Sequence, residues 1–439
     1  MPLYFSKLSK LLYNVKRRFF VFISLKGSHY ALDTFSIAGT KFNELKSLIR
    51  NSLDPLTGDD MNDFEGVDLI CFSHLRWNFV YQRPQHLMSR IAKTHRVFFI
   101  EEPVYDSDVN FEIRKESEKL WVIVPHLAEG MDEQTAKTHQ RAFLSRLLVT
   151  MNIQHYAAWY YTPMALLISD HLSPSIIVYD CMDELSAFKF APPALVHLEK
   201  QLMEKADVVF TGGYSLYEAK KSQHPNIHAF PSSIDFDHFF KARDLSDEPL
   251  DQSLIPHPRF GFYGVIDERL DLSMIIEIAL RKKDWNFVLI GPIAKIEEKD
   301  LPRLENIHYL GMKSYQELPQ YLAGWDVAIM PFALNESTRY ISPTKTPEYL
   351  AGGKPVISTP ILDVVRHYSA VVHFVTTSEE FIACAENDVV QNEEWLKNVD
   401  EILSENSWDK TWKRMNDIIE KTIKYSPNKL KIKNEETYV

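Results

Sequence analysis

From Val67 onward the chain alternates short, almost wholly apolar runs with stretches of helical period, and this rhythm restricts the folds open to it. Val67–Ser73, Arg96–Glu101, Leu120–Pro125, His155–Tyr161, Ile176–Asp180 and Ala206–Thr211 read as strands. Between them Leu87, Met88, Ile91 and Ala92 mark one face of a helix after Pro84, and Leu195, Leu198, Leu202 and Met203 mark another. Strands that are apolar throughout need cover on both faces, so the expected sheet is parallel and sandwiched by helices. Lys241 to Pro258 is charged and proline-bearing and reads as an interdomain linker. The alternation restarts with Phe260–Val265, Phe287–Ile290, Ile307–Leu310, Val327–Met330, Val356–Ser358 and Val371–Val375. The expected fold class is α/β: two doubly wound, Rossmann-like domains facing across a cleft. The expected divisions are an extension over 1–62, a first domain over 63–245, a second over 256–425 and a polar tail over 426–439. Trp408 and Trp412, four apart in a helical pattern, are expected either to reach back to the first domain or to pack within the second.

With 439 residues there is room for two domains of ordinary size. A net charge of −11 argues against nucleic acid as a partner, because phosphate binding calls for a basic face. The three cysteines, Cys71, Cys181 and Cys384, are odd in number, far apart and without metal-type spacing, so a reducing, cytoplasmic setting is expected. No apolar run is long enough to cross a bilayer. The longest near the start, Phe19–Leu25, follows Lys7, Lys10, Lys16, Arg17 and Arg18. With no convincing cleavage site after it, this segment reads as a basic amphipathic stretch touching an anionic membrane peripherally, or else as a locally packed extension.

The segment Ser342 to Val356 carries the densest chemistry. It reads as a short helix with Thr346 as cap and Pro347 at the first helical position, where its missing N–H costs nothing. The helix closes at Gly352-Gly353, before a buried strand. Lys345 and Glu348 then stand at the positive end of a helix, where a protein can hold phosphate. A cation there neutralises a diphosphate, and a carboxylate accepts hydrogen bonds from ribose hydroxyls. The plainer alternative makes Glu348 a partner of the helix dipole and Lys345 a solvated loop residue.

Other candidates sit where strands end, the usual place for ligands in open α/β sheets. Gly264 follows Phe260–Tyr263 and allows backbone to approach a phosphate, with Arg269 placed to clamp a diphosphate bidentately. Arg83 precedes Pro84 at a helix start and offers a second cation. Trp77, Phe79 and Tyr81 form an aromatic group that stacks on sugar rings or packs against its own loop. Asp180-Cys181-Met182-Asp183-Glu184 follows a first-domain strand. Asp183 is the first choice for a general base on an acceptor hydroxyl and Glu184 the second, with Asp180 a brace and an N-cap role the rival for Asp183.

Leu69–Trp77, Gln82–Leu87, Tyr179–Glu184, Gly261–Arg269, Gly324–Pro331 and Ser342–Val356, in that order, resemble segments of GT-B glycosyltransferases of group 1 (the family-four type). The resemblance runs from about Val67 to about Lys424 and is to a bacterial subgroup associated with cell-surface polysaccharide assembly. It implies a nucleotide-diphosphate-sugar donor held by Gly264, Arg269, Ser342, Thr344, Lys345 and Glu348. It implies phosphate or acceptor contacts from His74, Arg76 and Arg83, and catalysis by Asp183 or Glu184. It implies a glycan or lipid-linked acceptor, no cofactor and no metal, the leaving diphosphate being neutralised by cations and a helix end. Two departures stand out. Many retaining members carry two glutamates eight positions apart, but Tyr340 stands where the first would be, eight before Glu348. Many also carry a His where Cys181-Met182-Asp183 stands. Retaining or inverting stereochemistry is therefore left open. Pro231-Ser232-Ser233 replaces the Pro-Asn-Gly turn of such enzymes, and a structural role is expected for it. The alternatives are a nucleotide-sugar epimerase of the same architecture and a non-catalytic scaffold. A dinucleotide oxidoreductase is disfavoured because no Gly-x-Gly-x-x-Gly follows the first strand.

Overall fold

The computed structural model describes residues 64–425 apart from 65, 107, 108, 388 and 390. The basic segment expected to touch a membrane and the tail over 426–439 lie outside the described residues. Among the described residues, no helix is long and apolar enough to cross a membrane.

The chain forms two compact units. One holds the described residues up to Leu75, with Ile91–Ile177 and the chain from Ile419. Its strands are β1 (Asp68–Ser73), β2 (Val97–Glu101), β3 (Val104–Asp106), β4 (Asn110–Ser117), β5 (Leu120–Ala128) and β6 (Tyr156–Tyr160). Five run in parallel in the order β3-β5-β2-β1-β6, and β4 lies antiparallel along β5. Every residue of β1, β2 and β6 is buried, as expected of strands covered on both faces. The order reverses at β1, flanked by β2 and β6, so Ser73-His74 at its carboxyl end marks a switch point. The polar run of β4 escaped the sequence reading because only Phe111 and Ile113 alternate inward in an otherwise exposed, charged strand.

The second unit comprises Arg76–Arg90 and Val178–Ile418. It carries most of β7 (Ile176–Cys181), then β8 (Val208–Thr211) and β9 (Ile227–Ala229), paired in parallel in that order. The helix Leu195–Lys205 buries Leu195, Leu198, Leu202 and Met203, the face foreseen from their spacing. A separate six-stranded parallel sheet follows. Its strands are β10 (Arg259–Tyr263), β11 (Asn286–Ile290), β12 (Ile307–Gly311), β13 (Val327–Met330), β14 (Val356–Ser358) and β15 (Val372–Phe374), in the order β12-β11-β10-β13-β14-β15. The helix Leu272–Arg281, capped by the Asp271 carboxylate accepting from Met274 N–H, packs Met274, Ile275, Ile278 and Ala279 into this unit's core. The order again reverses at β10, between β11 and β13, and Gly264 stands immediately past its end.

The 241–258 stretch is anchored rather than loose. Gln252 is fully buried and accepts from Trp325 Nε1 at 2.9 Å. Arg243 pairs with Asp400, and the buried Arg259 guanidinium binds Glu248 at 2.7 Å. Charged residues in this stretch are thus paired with partners outside it, which a composition-based linker criterion does not register. Trp408 is buried, stacks on His86 with ring centroids 4.7 Å apart, and donates its backbone N–H to Ile234 O.

Candidate functional site

The site is built within the second unit at the carboxyl ends of β7, β10 and β11 and on the helix Lys345–Ala351. Gly264 has φ +144°, a region side chains rarely adopt, and a Cβ there would lie 2.1 Å from Lys345 Cε. The glycine therefore makes room for the Lys345 side chain to lie across the end of β10. Gly291, just past β11, is its counterpart: φ is +142°, and a Cβ would sit 1.8 Å from Gly264 O.

The helix begins earlier than the sequence suggested. Thr344 is its N-cap, Lys345 its first residue, and Pro347 stands at the third position. Proline is tolerated there because the first-turn N–H groups have no intrahelical acceptor in any case. Thr346 is not the cap; it is fully buried, with Oγ1 3.0 Å from Met330 Sδ. Glu348 is 3% exposed and accepts a 2.8 Å hydrogen bond from Tyr263 Oη. Burial pushes its carboxyl up to about 7, against lowering by the Tyr263 hydrogen bond, Lys345 and Thr344; Asp235 adds to the rise. Desolvation lowers the Lys345 ammonium, while Glu348 acts to raise it. Lys345 Nζ also lies 5.8 Å from the Phe262 ring centroid.

Asp183 follows β7 in a half-buried position, and no described residue donates a hydrogen bond to its carboxylate. It does not cap the turn Leu185–Ala187, whose cap position is Glu184. Enclosure of its surroundings raises it to about 6, opposed by Arg269, Lys295, Arg83 and Lys345, in that order. A carboxylate with a midpoint near neutrality, ringed by cations, is poised to accept a proton beside a group that carries negative charge.

Several expected ligands are otherwise engaged. Arg83 is not free at a helix end. It is 2% exposed, forks onto Asp180 at 2.9–3.0 Å and donates to Phe230 O at 2.7 Å, bracing the ends of β7 and β9. Its charge is spent on a buried carboxylate that would be costly to leave uncompensated. Arg269 spends the Nε/Nη2 side of its guanidinium on Asp267 at 2.7–3.0 Å, which leaves the Nη1/Nη2 end for a diphosphate. Glu184 is paired with the buried Lys220 at 2.7 Å and accepts from Ser186, so it anchors the Asp183 loop rather than meeting a reactant. Lys220 also holds Glu199 at 2.9 Å. Ser342 accepts from Ser232 N–H, and its carbonyl accepts from Ser232 Oγ, which joins it to the Pro231-Ser232-Ser233 turn. Thr344 is the cap of the helix, and its carbonyl accepts from Glu348 N–H at 3.3 Å. Arg76 is half-buried, and its carbonyl accepts from Phe79 N–H in a loop whose carbonyls at Trp77 and Val80 are held by the Gln85 amide. His74 belongs to the other compact unit, past the end of β1. Tyr81, from the aromatic group, stacks on Tyr315 with centroids 4.5 Å apart.

Three contributors were missed by the sequence reading. Lys295, in the loop after β11, lies 4.6 Å from the centroid of Phe188, which follows Asp183, and Arg269 lies 5.5 Å from the same ring. Phe188 thus links the β7 loop to the two cations. Tyr263 anchors Glu348. Gly291-Pro292 after an apolar strand was the available signal for the Lys295 loop, since it repeats the strand-then-glycine pattern of Tyr263-Gly264.

Residues 257–391 match the family described as Glycosyl transferases group 1. This span includes Gly264, Arg269, Lys295, Lys345 and Glu348 but stops short of Asp183. A Bacillus subtilis (strain 168) protein named "Putative teichuronic acid biosynthesis glycosyltransferase TuaH" is 27% identical over 260 residues, 55% of this chain and 65% of that protein. The match therefore spans just under two thirds of that relative. Among solved structures, E. coli trehalose-6-phosphate bound with UDP-2-fluoro glucose aligns with TM-score 0.57 and 11% identity, covering 82% of this chain and 99% of that one. The catalytic domain of starch synthase IV from Arabidopsis thaliana, bound to ADP and acarbose, aligns with TM-score 0.58 and 13% identity, covering 82% and 99%. At such identities the likeness is one of fold, and the fold is the GT-B arrangement of two Rossmann-like domains.

Proposed function

We propose that this protein is a glycosyltransferase that moves a sugar from a nucleotide-diphosphate-sugar donor to a glycan or lipid-linked acceptor in cell-surface polysaccharide biosynthesis. The observation that carries the reading is the convergence at the β10 switch point of Lys345, which lies against Gly264, and Glu348, which is held by the adjacent Tyr263. The Lys345 ammonium would neutralise the diphosphate, and the Glu348 carboxylate would accept from ribose hydroxyls. The Nη1/Nη2 end of Arg269 would add positive charge where the leaving group departs. Asp183 would take the proton of the acceptor hydroxyl as that oxygen bonds to the anomeric carbon and the bond from that carbon to the diphosphate breaks. The reading is supported by the matched family, by the name of the Bacillus relative, and by the nucleotides bound in structures of like fold. Contact with an anionic membrane is proposed from the basic, apolar start of the sequence; vesicle co-sedimentation that persists after deleting residues 1–62 would refute it.

A thermal-shift screen against UDP, GDP, ADP and their sugar conjugates, with NAD as control, tests the donor site, because a ligand bound only by the folded state stabilises it. Selective stabilisation by one nucleoside diphosphate is expected, and no shift with any would refute the donor reading. Donor turnover that requires an acceptor separates a transferase from an epimerase, which turns over donor alone, and from a scaffold, which turns over neither.

A further inference from the structure

Glu348 owes its setting to a residue that none of the site chemistry so far requires. Tyr263 is the last residue of β10, 4% exposed, and its hydroxyl donates to Glu348 Oε2 at 2.8 Å. The tyrosine is itself fixed. Its backbone N–H donates to Tyr349 Oη at 3.0 Å, and Tyr349 Oη donates back to Tyr263 O at 3.4 Å. Tyr349 neighbours Glu348 on the same helix, so strand and helix are tied on both sides of the carboxylate. The Tyr263 ring lies 4.8 Å from Tyr349 at 75°, 5.7 Å from Trp325 at 40° and 6.2 Å from Phe239 at 17°. Trp325 is held in turn by Gln252 at 2.9 Å.

We infer that Tyr263 is a positioning residue of the nucleotide site: its hydroxyl sets the orientation of the Glu348 carboxylate that receives the ligand's hydroxyl groups. The inference rests on the donor-site reading above and extends it to a residue that touches no ligand. Phenylalanine would fill the same space among Tyr349, Trp325 and Phe239, so the buried hydroxyl has the carboxylate as its purpose. An ionised carboxylate offers about four acceptor positions. Tyr263 takes one, and the remainder suit a vicinal diol. Holding the acceptor in place beforehand spares the ligand the entropy of ordering it.

The hydrogen bond also favours the ionised form, which is the form that accepts from hydroxyls. The groups facing Glu348 are Tyr263 from β10, Lys345 and Thr344 from its own helix, Asp235 ahead of the helix Phe236–Phe240, and Tyr315 from the turn Tyr315–Glu317. Tyr263 and Lys345 act to lower Glu348, and Asp235 to raise it. Loss of the Tyr263 hydroxyl therefore moves Glu348 upward, and binding begins to fail at higher pH as the solution is acidified.

The test is calorimetry of the full-length protein and of Tyr263→Phe with the nucleoside diphosphate selected in the screen, from pH 6 to pH 9. Affinity about tenfold weaker or more at pH 7.5, with the acid limb of the binding profile moved to higher pH, is expected. Tyr349→Phe, which makes no hydrogen bond to Glu348, should leave that limb in place. Equal affinity in Tyr263→Phe overturns the inference alone. A tenfold loss with an unmoved acid limb marks a packing defect and also overturns it. No nucleotide binding by the unchanged protein overturns the donor-site reading and the inference with it.

Discussion

Glu348→Gln should make the protein more stable while weakening its hold on nucleotide, because the folded structure keeps a carboxylate where burial opposes its charge. Glu348 is 3% exposed, and its midpoint is raised from 4.5 to about 7. Between those values the folded state binds more protons than the unfolded one, so stability falls as pH rises through that window. Above it the cost is complete, at about 3 kcal/mol, and at pH 5 it is below about 1 kcal/mol. Glutamine has nearly the same shape, its carbonyl oxygen still accepts from Tyr263 Oη, and it has no charge to desolvate. The variant should therefore gain about 3 kcal/mol over the unchanged protein at pH 8 and little at pH 5. Urea unfolding without nucleotide, followed by fluorescence of tryptophans that include Trp325 beside Tyr349, reads the difference at both pH values. A Gln variant no more stable than the unchanged protein at pH 8, or an equal gap at both pH values, would refute the reasoning. The electrostatic burden would then lie elsewhere in the unit.

Gly264→Ala should weaken nucleotide binding at least about tenfold, because the new Cβ would lie 2.1 Å from Lys345 Cε at a backbone angle that alanine resists; unchanged affinity in calorimetry would remove Lys345 from the site. Asp183→Asn should lower turnover by about a hundredfold or more with donor affinity kept. In the unchanged protein the rate should fall as pH drops through about 6, where Asp183 becomes protonated, and a flat rate from pH 5 to 7 would count against a base there. Arg83→Ala should cost about 3–5 kcal/mol of stability by stranding buried Asp180; lost ligand affinity with stability intact would restore Arg83 as a phosphate contact.

Much of the architecture was legible because parallel strands covered on both faces must be apolar at every position. The runs that became β1, β2, β6, β10, β11 and β13 are buried from end to end, and nothing but a strand fits so short an apolar run between helical periods. The short β3 and β9 escaped notice because three residues give too little pattern to read, and β4 because its exposed, charged residues mask the few that turn inward. The first turn of the helix bearing Lys345 and Glu348 was misplaced for a local reason: proline is acceptable at any of its first positions, so sequence does not distinguish the first from the third.

By itself the sequence determined which residue types stand at the ends of strands: a glycine past β10, a cation and a carboxylate on one short helix, and acidic residues past β7. Tertiary structure decided which of those charges remain available. Arg83 is used by Asp180, one side of the Arg269 guanidinium by Asp267, Glu184 by Lys220 and Lys295 by Glu268 at 3.6 Å, whereas Lys345 and Asp183 stay open to a ligand. The physical reason is that a charged side chain's role depends on its nearest countercharge, and those partners lie as far as 97 residues away in the chain.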